Sequence, residues 1–356
     1  MPVTYWINEK GFSKITNGSD FLAVHSSFHA WETVASADVQ FVYGGTTTAA
    51  GVGHDGMNVV SFTDTSAPMG SSTIAATFSF FKRDTSGLTI DEADIAFNPA
   101  LDFSTSAEQN KFDIQSVLTH EIGHLLGLDH SAMVSSVMVP FGATSQLDQR
   151  TLAYDDIAGI TELYPKPSTT VSVGQIRGVI RSGETPVLGA HVVAVSNAGT
   201  ALVSTLSQPD GSYTLRFLPE GTYKVFAEPL DLPVTKDNIG GGFYANTRTD
   251  FGTTYFGNVS TQTDARPTAL SAGAISTADI DTLPKSSTGL NLTRPSFGIR
   301  VARGVAGTLT IGGEDITSGV AFTTSSSGIV LGAPTFGGSI SSAASTSAQM
   351  KVSNSC

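Results

Sequence analysis

The chain has 356 residues, a formal net charge of −12 and only 14% charged residues. That length suits two or three domains, and the acidic balance argues against nucleic acid as a partner. No apolar run reaches the roughly 18 residues of a membrane span, and residues 1–20 lack the basic start and apolar core of a signal peptide.

Residues 3–8 predict a strand. Residues 18–34 predict a helix with Ser19 or Asp20 as N-cap and Phe21, Val24, Phe28 and Trp31 at helical spacing on its core side. His25 and His29 fall four apart in it. With no acidic residue or third histidine to complete a metal set, they read as surface or packing residues. Residues 39–43 predict a second strand, 44–56 a Gly/Thr loop and 59–62 a third strand. Ile74, Ala75, Ala76 and Thr77 predict the next strand, and residues 88–97 another. Ile114, Val117, Leu118, Ile122, Leu125 and Leu126 are the apolar part of a helix over 113–126. A last helix is expected over 151–164.

The most informative stretch lies on and just after the helix over 113–126. His120 and His124 are four residues apart, about 400° of rotation and roughly 6 Å of rise on a helix, so both rings leave one face. Glu121 sits about 100° round from His120, close enough to act on a water beside a metal without ligating it. Gly127 takes the left-handed conformation that ends a helix, and the turn lets His130 come back as a third ligand. Three protein ligands with an open fourth position define a catalytic zinc site rather than a structural one. Asp129 reads as a polar turn residue.

Residues 120–130 match the extended zinc motif of the metzincin metalloproteases. Met138, eight residues after His130, resembles their methionine turn. Ser131 after the third histidine resembles the matrixin branch. Residues 152–164 are similar to the closing helix of matrixin domains, Tyr5, Trp6 and Ile7 to their first strand, Phe28 and Trp31 to their first helix, and residues 94–98 to the strand before the active-site helix. The resemblance covers residues 3–165. It implies an α+β domain with a twisted, mostly parallel sheet, an antiparallel edge strand and three helices. It also implies peptide-bond hydrolysis with one catalytic Zn²⁺ on His120, His124 and His130 and with Glu121 as general base. Met138 would be a rigid floor beneath the metal. The strand at Ile74, Ala75, Ala76 and Thr77 would be the edge that holds the substrate main chain, and Pro140 and Phe141 would wall the main specificity pocket.

Matrixins also hold a structural zinc and calcium. Before the active-site helix, His54 with Asp55 is the one histidine–acid pair, so a structural zinc is not expected. Asp91, Glu92, Asp94 and Asp102 supply oxygens for Ca²⁺ or, alternatively, form a solvated acidic turn. The zinc-capping cysteine of a matrixin pro-segment has no counterpart here. Cys356 is the single cysteine, so no intrachain disulfide is available and the terminal thiol is a poor metal ligand.

Residues 165–170 read as a linker. Beyond it, short alternating runs at 174–180, 190–195 and 223–227, with turns at 184–186, 210–211 and 219–221, predict a β-sandwich. Residues 188–192, 210–215 and 218–225 resemble the carboxypeptidase regulatory-like, transthyretin-type module, which is a non-catalytic accessory. His191 lies in one of these strands as a structural residue without a partner. Residues 307–312 and 328–331 suggest a further small β unit, an Ig-like module cut short.

The sequence thus divides into a peptidase domain at 1–166, a β-sandwich at 172–292 and a β-rich segment at 293–356. The expected activity is that of a secreted, monomeric zinc endopeptidase acting on protein or peptide substrates, with β modules that bind a matrix or cell-surface ligand. Its signal and any pro-segment are removed, or the sequence is a fragment. Two other readings are an adhesion protein that keeps the zinc fold as a scaffold and a zinc hydrolase acting on something other than peptide. The retained Glu121 argues against the scaffold, which needs no base.

Overall fold

The computed structural model describes residues 2–85, 87–167, 173–231 and 233–285, and beyond these the strand segments 291–292, 307–314, 330–331, 335–337 and 346–353. The chain forms two compact units, residues 1–130 with 136–171, and residues 131–135 with 172–356.

The first unit runs β1 (Val3–Asn8), α1 (Ser19–Glu32), β2 (Phe41–Thr47), β3 (Asn58–Ser61), β4 (Ala75–Asp84) and β5 (Gly87–Phe97). The short pair β6 (Phe103–Ser104) and β7 (Phe112–Asp113) leads into α2 (Ile114–Leu125), and α3 (Tyr154–Leu163) closes the unit. The sheet order is β2-β1-β3-β5-β4. The β1–β2, β1–β3 and β3–β5 pairs are parallel, and β4 lies antiparallel on β5 at the edge. Residues Ala93, Ile95, Ala96 and Phe97 are all buried, as a strand covered on both faces must be. Trp31 of α1 and Leu118 and Ile122 of α2 belong to one core. The indole of Trp31 also donates to the Thr119 carbonyl at 2.9 Å, which satisfies its polar atom within that core.

Four local expectations change. The second strand runs from Phe41 through Gly44 and Gly45 to Thr47, into the expected loop. A Cβ at Gly44 would lie 2.4 Å from the Trp6 ring, so glycine is there to admit the indole rather than to make a turn. Strand β4 continues past Thr77 to Asp84, paired with β5 and bulged between Phe80 and Phe81. The N-cap of α1 is Gly18, at φ 77°; Asp20 instead turns inward and accepts the Phe12 N–H at 2.9 Å. Helix α3 starts at Tyr154 rather than 151. His25 packs beside Tyr43 and bonds the Tyr5 hydroxyl at 2.7 Å, while His29 does have an acidic neighbour, Glu32, at 3.6 Å.

The acidic stretch divides: Asp91 and Asp102 are exposed, as a solvated turn requires, whereas Glu92 and Asp94 are buried. Glu92 and Asp94 are each 3% exposed and face the backbone of the preceding loop. Asp94 accepts the N–H groups of Gly53 at 3.0 Å and Val59 at 2.9 Å; Glu92 accepts those of Asp55 and Gly56. Asp64 accepts the Val52 N–H at 2.9 Å. Asp91 faces His54 at 3.1 Å and Lys82 at 3.6 Å, and Asp102 pairs with Lys14. This loop turns its N–H groups toward the carboxylates of Asp64, Glu92 and Asp94.

The second unit contains β8 (Gly174–Ser182), β9 (Thr185–Pro186), β10 (His191–Ser196), β11 (Ala201–Leu206), β12 (Ser212–Leu218), β13 (Gly221–Glu228), β14 (Thr254–Tyr255), β15 (Thr268–Leu270), β16 (Ile275–Thr277) and β17 (Ile280–Asp281). One sheet has the order β11-β10-β13-β14, with β15 also on β13; the other has β12-β8-β16, with β9 and β17 on β8. Strand β8 alternates, burying Ile176 and Ile180, and β10 is buried at all but its last residue. Met133 joins Val193, Phe226 and Tyr255 in a core of this unit. His191 has a partner after all: its Nδ1 lies 2.8 Å from Glu228 Oε1, and both residues are buried. The cross-strand pairing of these two positions in β10 and β13, 37 residues apart, is what the sequence conceals. Strands β18 (Asn291–Leu292), β19 (Gly307–Glu314), β20 (Val330–Leu331), β21 (Thr335–Gly337) and β22 (Thr346–Ser353) form a further sheet. Cys356 lies outside the described residues.

Candidate active site

Helix α2 opens on Asp113, whose carboxylate accepts the Ser116 N–H at 2.9 Å and also binds the Arg150 guanidinium. It closes on Gly127, at φ 96°. The Leu128 N–H bonds the Gly123 carbonyl and the Gly127 N–H bonds that of His124, each at 2.9 Å, the paired closure of a Schellman turn. The reversed chain then offers the Leu128 carbonyl to His124 Nδ1 at 2.8 Å. His120 Nδ1 lies 2.7 Å from the Val137 carbonyl. A carbonyl only accepts, so both Nδ1 atoms carry the proton and both Nε2 lone pairs are left for a metal.

The three rings converge. His120 and His124 Nε2 are 3.1 Å apart, and one ligand atom from each of His120, His124 and His130 lies within 4.8 Å of the others. Among the described residues these three form the one group of histidine, cysteine or acidic side chains with that convergence. Burial lowers the pKa of His120 and His124 to about 4, so at neutral pH both are the uncharged imidazoles that zinc requires. The donor set therefore fits a zinc ion: three neutral nitrogens, two of them oriented through their second nitrogens, at the floor of an open cleft.

Glu121 is 5% exposed, and burial raises its carboxyl pKa. Met138 is 2% exposed and packs against the helix at Gly123. A Cβ on Gly123 would fall 2.2 Å from the Met138 sulfur. The glycine inside the histidine pair is thus the space the thioether occupies. The turn carrying Met138 is held by Asp156 of α3, which accepts the N–H of Val137 at 2.9 Å, that of Met138 at 3.1 Å and the Ser136 hydroxyl. Asp156 also accepts the Ala153 N–H at 2.7 Å, so one buried carboxylate caps α3 and fixes the methionine turn. Sequence reasoning missed that role. An acid at the third position of a helix was its available signal.

A cleft of about 1000 Å³ opens over the histidines. Ile74, Ala75, Ala76 and Thr77 line it on one side, and Pro140 and Phe141 on another, so all six expected substrate-facing residues share the cleft with the metal set. The walls approach closely, since a Cβ on Gly142 would meet Ile74 Cδ1 at 2.8 Å.

This architecture, a mixed sheet with an antiparallel edge strand beside a helix carrying two of three convergent histidines, defines a metzincin-type zinc domain. Residues 2–165 match the matrixin family model, so this segment is similar to matrixin domains. A metalloendoproteinase 1-MMP of Arabidopsis thaliana is 45% identical over 75 residues, 20% of this chain and 20% of that protein. A matrilysin of Rattus norvegicus is 43% identical over 65 residues, 18% of this chain and 24% of that protein. The chain spans about a fifth to a quarter of the length of these curated relatives. Among solved structures, the major pilin subunit BcpA of Bacillus cereus covers 32% of this chain and 31% of its own at 17% identity and a TM-score of 0.22, too low for a fold argument. Among the described residues, no helix is long and apolar enough to cross a membrane.

Proposed function

We propose that residues 1–166 form a zinc-dependent endopeptidase that hydrolyses peptide bonds of protein substrates outside the cell. The observation that carries this reading is the buried carboxylate of Glu121 beside three convergent imidazoles. His120, His124 and His130 would hold the metal. When bound, zinc supplies Lewis-acid chemistry, polarising a carbonyl and acidifying a water. Glu121 takes the proton of the attacking water and delivers it to the departing amine. Burial, which raises its pKa, favours the first transfer, because a carboxylate of higher proton affinity is the stronger base. The exposed edge of β4 offers main-chain groups with which an extended peptide pairs as an added strand. Pro140 and Phe141 bound the pocket for one substrate side chain, and Met138 acts only as a floor. The β-rich residues 172–292 and 293–356 are accessory modules that place the monomeric enzyme on a matrix or cell-surface ligand.

The test compares wild type and Glu121→Ala on an unfolded protein substrate, with zinc content measured in both. The wild type is expected to cleave, and the variant to retain zinc while losing activity by about 10²–10⁴-fold, the usual contribution of a general base. Wild type that holds stoichiometric zinc and cleaves nothing, or a variant that cleaves equally well, removes the proposal.

A further inference from the structure

We propose that Thr77 is a positioning residue for the general base, linking the substrate-binding edge strand to the carboxylate of Glu121. The inference rests on the peptidase reading above. Thr77 is the third residue of β4, opposite Ile95 of β5, and lines the cleft. Its hydroxyl lies 2.7 Å from Glu121 Oε2 and 2.9 Å from the Glu121 backbone oxygen. A hydroxyl has one proton to give, and an ionised carboxylate is the stronger of the two acceptors. The Glu121 backbone carbonyl is the competing acceptor for that same proton. Thr77 is β-branched, so its χ1 is stiff, and its backbone is held in the β4–β5 ladder.

A glutamate has three side-chain torsions, and only a narrow part of that space puts an oxygen where a water proton can be taken. The Thr77 bond fixes Oε2 and leaves Oε1 as the proton-accepting atom. A fixed carboxylate avoids reorganising at the moment of reaction. The strand that fixes it is the one on which the peptide is proposed to pair. A substrate docked along β4 therefore meets a base oriented from the same strand, so scissile bond and proton acceptor share one reference frame. The sequence places Thr77 in the edge strand, but the contact with Glu121, 44 residues away, appears only in three dimensions.

The experiment uses the full chain with zinc content measured for each protein. Thr77→Val removes the hydroxyl at nearly constant shape, and Thr77→Ser keeps it. The expected result for Thr77→Val is a fall in kcat of about tenfold, the scale of one lost hydrogen bond to a charged group, with KM and zinc content unchanged. Thr77→Ser is expected to keep most of the wild-type kcat. In the Glu121→Ala background, Thr77→Val should cost nothing further. A second readout needs neither metal nor turnover: the Glu121 carboxylate stretch, isolated as the infrared difference between wild type and Glu121→Gln, should shift when Thr77 is Val. A Thr77→Val enzyme with wild-type kcat overturns the proposal. So does a loss that falls on KM or zinc, a serine variant as impaired as the valine one, or an unshifted carboxylate band. Wild-type inactivity with zinc bound would instead sink the peptidase reading, whereas an active wild type with an indifferent Thr77→Val sinks only the positioning role.

Discussion

The histidine site and the loop over residues 51–59 both gather the side chains from which metal sites are made, with opposite results. At the site, each of two histidines spends one nitrogen on a carbonyl and keeps the other for the space all three share. At the loop, Asp64, Glu92 and Asp94 direct their oxygens at backbone N–H groups. The difference lies in what surrounds the ligands rather than in the ligands. Carbonyls behind imidazoles free their lone pairs for a cation, whereas amides facing carboxylates occupy the oxygens a cation would need. Asp156 repeats the loop's device on the turn that carries Val137 and Met138, so buried carboxylates fix backbone amides in both places.

Replacing that carboxylate is the severest way to test the contrast. Asp156→Ala leaves the buried N–H groups of Val137 and Ala153 without their acceptor, while that of Met138 keeps the Ser136 hydroxyl at 2.9 Å, and unsatisfied buried donors cost about 1–3 kcal/mol each. A loss of about 3 kcal/mol in chemical denaturation is expected, with weaker zinc retention. A variant that melts like wild type would show that the turn stands without its staple.

Gly123→Ala comes next. It relieves about 1 kcal/mol of helix penalty but drives a methyl into the Met138 sulfur, and overpacking costs about 1–3 kcal/mol. A net loss of about 1 kcal/mol is expected in wild type, shrinking in the Met138→Ala background, where Trp31 Cζ2 at 3.1 Å is the remaining close neighbour of the methyl. An equal effect in both backgrounds would separate the glycine from the methionine.

The smallest effect concerns the loop. Burial, together with the nearby carboxylates of Glu92 and Asp55, raises the pKa of Asp94 to about 6. Its folded value lies above its unfolded one, so its contribution is full below about pH 4 and declines as pH rises through about 6. The stability advantage of wild type over Asp94→Asn should shrink across that window and level off above it, as followed by urea denaturation at each pH. Calcium added to zinc-loaded protein should leave Tm where it was. A rise of several degrees would restore the loop as a cation site.

The zinc ligands were legible because helical geometry converts a spacing of four directly into a shared face, and because Gly127 marks the turn that returns His130. Strand identities were legible for a similar reason, but strand ends were not. The sequence at Gly44 and Gly45 reads as loop until the Trp6 ring is placed over Gly44, and β4 outruns its apolar start because β5 pairs with it as far as Asp84. Roles that depend on long-range partners stayed hidden: Asp156 on the methionine turn, Glu228 on His191 and Thr77 on Glu121. In each, the residue type is ordinary and only its neighbour makes it consequential. The inward-facing pair Glu92 and Asp94 stayed hidden for the same reason, since composition supplies oxygens without saying which way the adjoining amides point.

The Schellman closure at Gly127 binds several functions to one position. It ends the helix, presents the Leu128 carbonyl to His124 and reverses the chain toward His130. A side chain there would have to adopt a backbone conformation it disfavours, at φ 96°. Helix end, imidazole orientation and third ligand would then fail together, whatever else in the domain changed. Sequence drift can therefore spread over both walls of the cleft while this turn stays closed to it, and a lineage could reshape those walls far more easily than it could relocate the three histidines.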